Sequence, residues 1–145
     1  MKRTTMLMTV AGALLLLVCG TALAATINGT AGNDTLRGTK SADVMRGRGG
    51  ADTVYGNYGK DRMYGDSGND RLFGGSHGDT ILGGPGRDTV DADQGNDYVN
   101  VADGALDSVS CGVGTDTAVV DEADLARQSF EDFVRLSSCE NVTVR

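Results

Sequence analysis

One aspartate in every nine residues constrains this chain more than any other feature. Counting from Asp34, an aspartate occupies every ninth position without a miss as far as Asp97. An apolar residue stands two positions after each of these aspartates, and a glycine stands five positions before all but the last of them. A chain that repeats one short unit in strict register is built from stacked copies of that unit, each packed on its neighbours.

The repeating unit has the form Gly-x-x-Gly-x-Asp-x-U-x, in which U is apolar. One residue is inserted after Asn100, and the register then resumes for two more units, which gives ten units in all. The ten repeat aspartates are Asp34, Asp43, Asp52, Asp61, Asp70, Asp79, Asp88, Asp97, Asp107 and Asp116. This regularity opposes disorder, which the high glycine content and the few aromatic residues would otherwise favour.

The chemistry of the unit points to a hard cation. Glycines at the first and fourth positions suit a backbone that turns sharply, and the short x-U-x segment has the composition of a strand. The aspartate is then held on a tight loop, where backbone carbonyls also converge. Carboxylate and carbonyl oxygens without any soft ligand favour Ca²⁺ over Zn²⁺.

The units resemble the Gly-Gly-x-Gly-x-Asp-x-U-x nonapeptides of hemolysin-type (RTX) calcium-binding proteins over about residues 29–119. Among the first eight units, the second glycine of the family unit is present only at Gly75 and Gly84, and Ser41 and His77 replace the glycine of the fourth position. Side chains at Ser41 and His77 should resist a positive φ. The resemblance implies an all-β fold, a right-handed parallel β-roll in which two nonapeptides make one turn.

In such a roll Ca²⁺ lies between the loops of successive turns, so that aspartates eighteen residues apart share one edge. The resemblance therefore implies two rows of metal-binding residues. The first row is Asp34, Asp52, Asp70, Asp88 and Asp107, and the second row is Asp43, Asp61, Asp79, Asp97 and Asp116.

Residues 1–24 are predicted to be a signal peptide. A basic start at Lys2 and Arg3 precedes an apolar run from Met6 to Val18, and Ala22-Leu23-Ala24 predicts cleavage before Ala25. The run is shorter than the roughly 20 residues that a membrane span needs. An N-terminal membrane anchor and a lipid on Cys19 remain as alternatives. The expected product is secreted and extracellular, without membrane insertion after cleavage.

The charge of the chain limits its partners. The net charge is −7, and removal of residues 1–24 makes it −9 because Lys2 and Arg3 leave without any acid. Nucleic acids and anionic membranes need basic surfaces, so this balance argues against nucleic acid and favours cations.

Two cysteines, Cys111 and Cys139, remain beyond the predicted leader, and in an oxidising compartment they are expected to form a disulfide. After Asp121 the register ends, and Asp121-Glu122-Ala123-Asp124 resembles an acidic helix start. Leu125, Phe130, Phe133 and Val134 can share one helical face, and Val142-Thr143-Val144 predicts a last short strand. The predicted organisation is a signal peptide (1–24), a calcium-binding roll (25–119) and a helical, disulfide-linked cap (120–145). A docking element for another protein is the alternative for the cap.

The sequence predicts a binding protein and not an enzyme. His77 is the only histidine, and no nucleophile or metalloprotease motif is present. The predicted function is calcium binding coupled to folding of the roll. The alternative is a calcium-stabilised adhesion protein that presents Tyr55, Tyr64 and Phe73 to a cell surface or a polysaccharide, although the same aromatic residues can simply stack on the sheets.

Overall fold

The computed structural model describes residues 7–9, 23–125 and 138–145. Short strands follow one another along the chain, with a single turn of helix, α1 (Glu122–Leu125), near the end. The strands are β1 (Leu7–Thr9), β2 (Thr26–Asn28), β3 (Thr35–Arg37), β4 (Val44–Gly49), β5 (Thr53–Tyr58), β6 (Arg62–Ser67), β7 (Arg71–Ser76), β8 (Thr80–Leu82), β9 (Thr89–Gln94), β10 (Tyr98–Asn100), β11 (Ser108–Ser110), β12 (Thr117–Val120) and β13 (Asn141–Val144).

From β2 to β12, consecutive strands alternate between two parallel sheets. Within the described residues, one sheet has eight strands in the order β1-β2-β4-β6-β8-β10-β12-β13, and the other has five in the order β11-β9-β7-β5-β3. Each strand from β2 to β10 therefore pairs with the strand two further along the chain, as in Met45 opposite Met63 and Val54 opposite Leu72. Two nonapeptides make one turn of a solenoid, which confirms the all-β parallel β-roll predicted from the repeats.

The interior of the roll is a single file of apolar side chains from the eighth position of each unit. Met45, Val54, Met63, Leu72 and Ile81 are completely buried between the two sheets. Ala92, Val101, Cys111 and Val120 continue the buried cluster towards the C-terminal end. Because each nonapeptide supplies about one large apolar side chain, the core is thin, and the loops at its edges carry much of the remaining buried surface.

At the N-terminal end, β1 pairs with β2, and Met8 lies opposite Ile27. This strand belongs to the predicted leader, whose residues 1–6 and 10–22 lie outside the described part of the chain. Cleavage before Ala25 stays a prediction. No helix within residues 7–9, 23–125 and 138–145 has the length and apolar character needed to cross a membrane.

The C-terminal segment returns to the end of the roll. Strand β13 pairs in parallel with β12, which confirms the predicted last strand, and Cys139 forms the expected disulfide with Cys111. Helix α1 begins where the acidic pattern predicts, and the side chain of Asp121 accepts the N–H of Ala123 at 2.7 Å. Phe130, Phe133 and Val134 lie outside the described residues, so the predicted helical face stays a prediction, as do the domain boundaries at 25–119 and 120–145.

Removal of the disulfide should destabilise the roll. The double variant Cys111→Ala and Cys139→Ala opens a covalent link between residues 28 positions apart. The expected loss is about 3 kcal/mol of the free energy of unfolding, because the unfolded chain gains conformational freedom. Denaturant unfolding in the presence of calcium measures it. A reducing agent should lower the wild-type midpoint to that of the double variant, and an unchanged midpoint in both experiments would contradict the stabilising role.

Candidate metal site

The repeat aspartates form one ladder of hydrogen bonds along each edge of the roll. The Oδ1 atom of Asp52 accepts the backbone N–H of Asp34 at 2.7 Å, and that of Asp79 accepts the N–H of Asp61 at 2.8 Å. The same bond recurs from Asp43 to Asp61, Asp52 to Asp70, Asp70 to Asp88, Asp79 to Asp97, Asp88 to Asp107 and Asp97 to Asp116. The two rows are those expected from the eighteen-residue spacing, and the inserted residue only lengthens one step of each row to nineteen.

The second carboxylate oxygen is buried without a hydrogen bond in eight of the ten repeat aspartates. These atoms are the Oδ2 atoms of Asp52, Asp61, Asp70, Asp79, Asp88, Asp97, Asp107 and Asp116. A buried carboxylate oxygen without a partner is costly, because it has lost water and gained nothing in exchange. Each of these oxygens therefore needs a proton or a cation.

Each orphan oxygen of the central loops faces the first glycine of its own unit together with a backbone carbonyl of the next turn. A Cβ built on Gly74 would lie 2.5 Å from the carbonyl oxygen of Ala92 and 2.8 Å from Oδ2 of Asp79. A Cβ on Gly56 would likewise meet the Gly74 carbonyl oxygen and lie 2.8 Å from Oδ2 of Asp61. Glycine is required here because any side chain would fill the space on which the two oxygens converge.

The possible metal ligands around each unpaired Oδ2 atom of these loops are all oxygen atoms. Nowhere in the described residues do three carboxylate, histidine or cysteine side chains converge on one point. A cation in these loops would therefore combine about one carboxylate per loop with backbone carbonyls. Carboxylate and carbonyl oxygens in a flexible arrangement suit Ca²⁺, which takes six to eight oxygen ligands, and they are unsuited to Zn²⁺.

The turns themselves require left-handed backbone at the fourth position of most units. His77 takes this conformation with φ of 82°, as Gly68 does with φ of 135°. The His77 side chain is expected to resist a positive φ. The surrounding loop nevertheless holds His77 in this conformation, so the residue is strained. Ser41, the other replacement, does not adopt a positive φ, because its loop follows a different path.

Burial raises the pKa values of six ladder carboxyls well above the ordinary value of 3.8. The pKa rises to about 7 in Asp79 and Asp107. It rises to about 6 in Asp61, Asp70, Asp88 and Asp97. Desolvation is the largest cause, the N–H bond to Oδ1 opposes it, and repulsion from neighbouring aspartates adds to it.

Two acids outside the repeat end the ladders, and the repeat pattern predicts neither of them. Asp107 donates its N–H to Oδ1 of Asp124, and Asp116 donates its N–H to Oε2 of Glu140, both at 2.7 Å. Asp124 also accepts the N–H of Asp121 at 2.9 Å, which closes the first turn of α1. Their separations from the repeat, 17 and 24 residues, depart from the period. Asp124 follows Asp107 at nearly the eighteen-residue spacing, which is a weak indication that it belongs to the ladder. Glu140 is far from that spacing, and nothing in the sequence indicates its place in the ladder.

Acidification should stabilise the metal-free roll. The pKa of Asp79 is about 7 in the folded chain and has its ordinary value of 3.8 in the unfolded chain. At pH values between these two pKa values the folded form therefore binds protons that the unfolded form releases. This stabilisation is fully present below about pH 3.8 and is lost as the pH rises through 6 to 7. Thermal unfolding in a chelator between pH 4 and pH 8 should give the highest Tm at the acidic end. Asp79→Asn should weaken the dependence, and a Tm that increases with pH would contradict it.

Comparison with known proteins agrees with this geometry. The family model of the RTX calcium-binding nonapeptide repeat matches residues 20–54, 38–72 and 73–105, which is more than half of the chain. No curated protein and no solved structure matches the chain. The repeats of this family bind Ca²⁺, and proteins that carry them are generally extracellular. The chain therefore belongs to the family of RTX calcium-binding nonapeptide repeat proteins.

Proposed function

We propose that this protein is an exported calcium-binding roll, that the ladder aspartates hold the ions, and that the roll folds when they bind. The observation that carries the proposal is the set of eight buried carboxylate oxygens without a hydrogen bond. A backbone carbonyl oxygen lies close to the unpaired oxygen in the central loops, as at Asp61 and Asp79, and the family supplies the identity of the ion. Binding is the proposed biochemical act, as is typical of this repeat family.

Folding should depend on the ions because the metal-free ladder opposes its own formation. Each step of the ladder places a second carboxylate one turn away, and burial of the charges is unfavourable without a counter-charge. The thin core offers about one buried apolar side chain per nonapeptide to offset this cost. A cation that binds only the folded form stabilises it by mass action, so the occupied sites and the folded turns should increase together.

The proposed location is extracellular. We infer that residues 1–24 direct export and are removed before Ala25, as the leader pattern predicts. Extracellular calcium modules work with Kd values of about 10⁻⁴–10⁻³ M, so weak sites of this kind would fill only after export. The roll would then remain unfolded in a cell interior that is poor in calcium.

A calcium titration followed by far-UV circular dichroism tests the proposal. The metal-free protein at pH 7.5 should give the spectrum of a largely disordered chain, and calcium should produce the β signal cooperatively with a midpoint of about 10⁻⁴–10⁻³ M. Mg²⁺ should fail to replace it, because it demands a smaller octahedral site. The intact mass of the exported protein shows whether the chain begins at Ala25.

A matched pair of variants tests whether the ladder aspartates are the residues that bind calcium. Asp79→Asn removes a charge from a ladder carboxylate and should raise the calcium midpoint roughly tenfold, the equivalent of about 1.4 kcal/mol. Asp91→Asn makes the same change on the outer face of β9 and should leave the midpoint unchanged. Equal effects of the two substitutions would contradict the ladder as the binding site. An unchanged ordered spectrum after exhaustive chelation would contradict folding on calcium.

A second candidate function, attachment to a polysaccharide, is favoured by one groove. It lies on the outer face of the five-stranded sheet and has a volume of about 390 Å³. Gly75 lies in it between Asn57 and Asp93 on the neighbouring strands, and Phe73 and Asp91 also line it. The rings of Tyr55 and Phe73 stack 5.0 Å apart, and the Arg37 guanidinium lies over Tyr55 at 4.3 Å.

The groove has the chemistry of a sugar site. The apolar face of a sugar ring packs on an aromatic ring, and carboxylate and amide oxygens accept its hydroxyl groups. Asp91 and Asp93 favour neutral or amino sugars over acidic ones. On the opposite sheet, the ring of Tyr64 has the Arg46 guanidinium over it at 4.1 Å, and its partners on the two neighbouring strands are Arg46 and Leu82, so it has no second ring stacked beside it. We therefore assign any such binding to Tyr55 and Phe73.

Sedimentation with chitin, cellulose and alginate particles in calcium tests this second function. The wild-type protein should bind the neutral polymers and leave the acidic alginate. Phe73→Ala should abolish binding while the calcium midpoint stays close to that of the wild type, and Tyr64→Ala, the matched control on the other sheet, should bind normally. Absence of binding to the neutral polymers, or an equal loss in both variants, would exclude the groove as the site.

A further inference from the structure

In the first turn of the roll, threonines donate hydrogen bonds to the second carboxylate oxygen of the repeat aspartates, and no later turn has this contact. Oδ2 of Asp34 accepts both the N–H and the hydroxyl of Thr30, at 2.5 and 2.8 Å. Oδ2 of Asp43 accepts the same two groups of Thr39, at 2.6 and 2.9 Å. Both threonines occupy the second position of the unit, four residues before the aspartate. In the other eight units the corresponding oxygen has no hydrogen-bond partner.

Each threonine hydroxyl is itself fixed in place. Oγ1 of Thr30 accepts the N–H of Gly32, and Oγ1 of Thr39 accepts the N–H of Ser41, both at 3.1 Å. The hydroxyl therefore donates to the carboxylate and accepts from the backbone two residues further on. This small network is closed within one loop and uses only groups of the protein.

The threonines also change the path of the loop. The second position of the third to eighth units has left-handed backbone, with φ of 79° at Arg48, 73° at Asn57 and 68° at Asp66. Neither Thr30 nor Thr39 adopts a positive φ. A β-branched side chain strongly resists this conformation, so the loop must turn by another route, which brings the N–H and the hydroxyl onto the carboxylate.

We propose that Thr30 and Thr39 replace the metal in the first turn, and that the calcium column begins at Asp52 and Asp61. This inference rests on the proposed calcium binding by the ladder. Asp34 and Asp43, which the repeat pattern includes among the metal ligands, are then structural residues whose free oxygens are already occupied. A cation at either loop would have to displace two hydrogen bonds to a carboxylate, which are among the stronger ones in proteins.

The first turn is consequently a preformed end of the roll. Its loops, 29–34 and 38–43, close without calcium, and β2 and β3 offer one edge of each sheet to the strands that follow. Later turns can add to this template as their own oxygens are neutralised. The solenoid thus has one end that forms without metal. Assembly of the roll should therefore proceed from the N-terminal turn onwards.

Native mass spectrometry of the full chain in calcium counts the ions and tests this assignment. The pair Asp34→Asn with Asp43→Asn should retain the wild-type number of ions. The matched pair Asp52→Asn with Asp61→Asn makes the same change one turn later, one residue on each edge, and should bind fewer. If no variant and no wild-type chain binds calcium, the proposed function fails. If the wild type binds and both pairs lose ions equally, only the present inference fails.

Substitution of the threonines gives a second, independent readout. Thr30→Gly with Thr39→Gly removes the hydroxyls, restores the glycine of the family unit and frees both carboxylates, so we expect additional bound ions. Thr30→Val with Thr39→Val removes the hydroxyls but keeps the branched side chain, and should add none. In a chelator, amide hydrogen exchange should be slower in wild-type residues 29–43 than in residues 65–79, and the valine pair should lose that difference. Uniform exchange of both segments in the wild type would overturn the preformed turn.

Discussion

The structure depends on a single interaction, the bond from each aspartate carboxylate to the backbone N–H of the aspartate one turn before it. This bond fixes the height of each loop over the next and holds the eighteen-residue register on both edges. It uses only one oxygen of each carboxylate. In eight of the ten repeat aspartates the other oxygen is buried without a hydrogen bond, so the interaction that sets the register also creates the demand for a cation. Order and metal dependence therefore have the same origin in this fold.

A core of ordinary thickness would hide this dependence. In the roll, the two sheets enclose one file of side chains, among them Met63, Leu72 and Ile81, and most of the other buried side chains are those of aspartates. The stability of the roll therefore depends strongly on the loops at its edges. There the pKa values of about 6 in Asp70 and about 7 in Asp79 show how strongly burial disfavours the charged carboxylates. Protons and calcium are two ways of supplying the same missing positive charge, and they should compete for it.

The period of the sequence determines most of what the structure shows. Strand positions, the inward side chains, the two rows of aspartates and the disulfide could all be predicted, because each is a property of the repeat or of a cysteine pair. The residues that were missed lie where the period stops. Asp124 and Glu140 reach the ladder only because the chain folds back over the last turn, and Thr30 and Thr39 occupy a position at which the family unit requires only a small, flexible residue. A pattern averaged over ten units cannot reveal what its first and last units do differently.

The alternation of strands between two sheets also limits how such a chain can change its length. Gain or loss of eighteen residues adds or removes a whole layer and leaves each side chain on its original face. Gain or loss of nine residues between Tyr55 and Phe73 would transfer Phe73 to the opposite sheet, so that the two stacked rings would no longer share a surface. A surface that spans several layers, such as this pair of rings, therefore survives an insertion or deletion within it only when an even number of units is gained or lost.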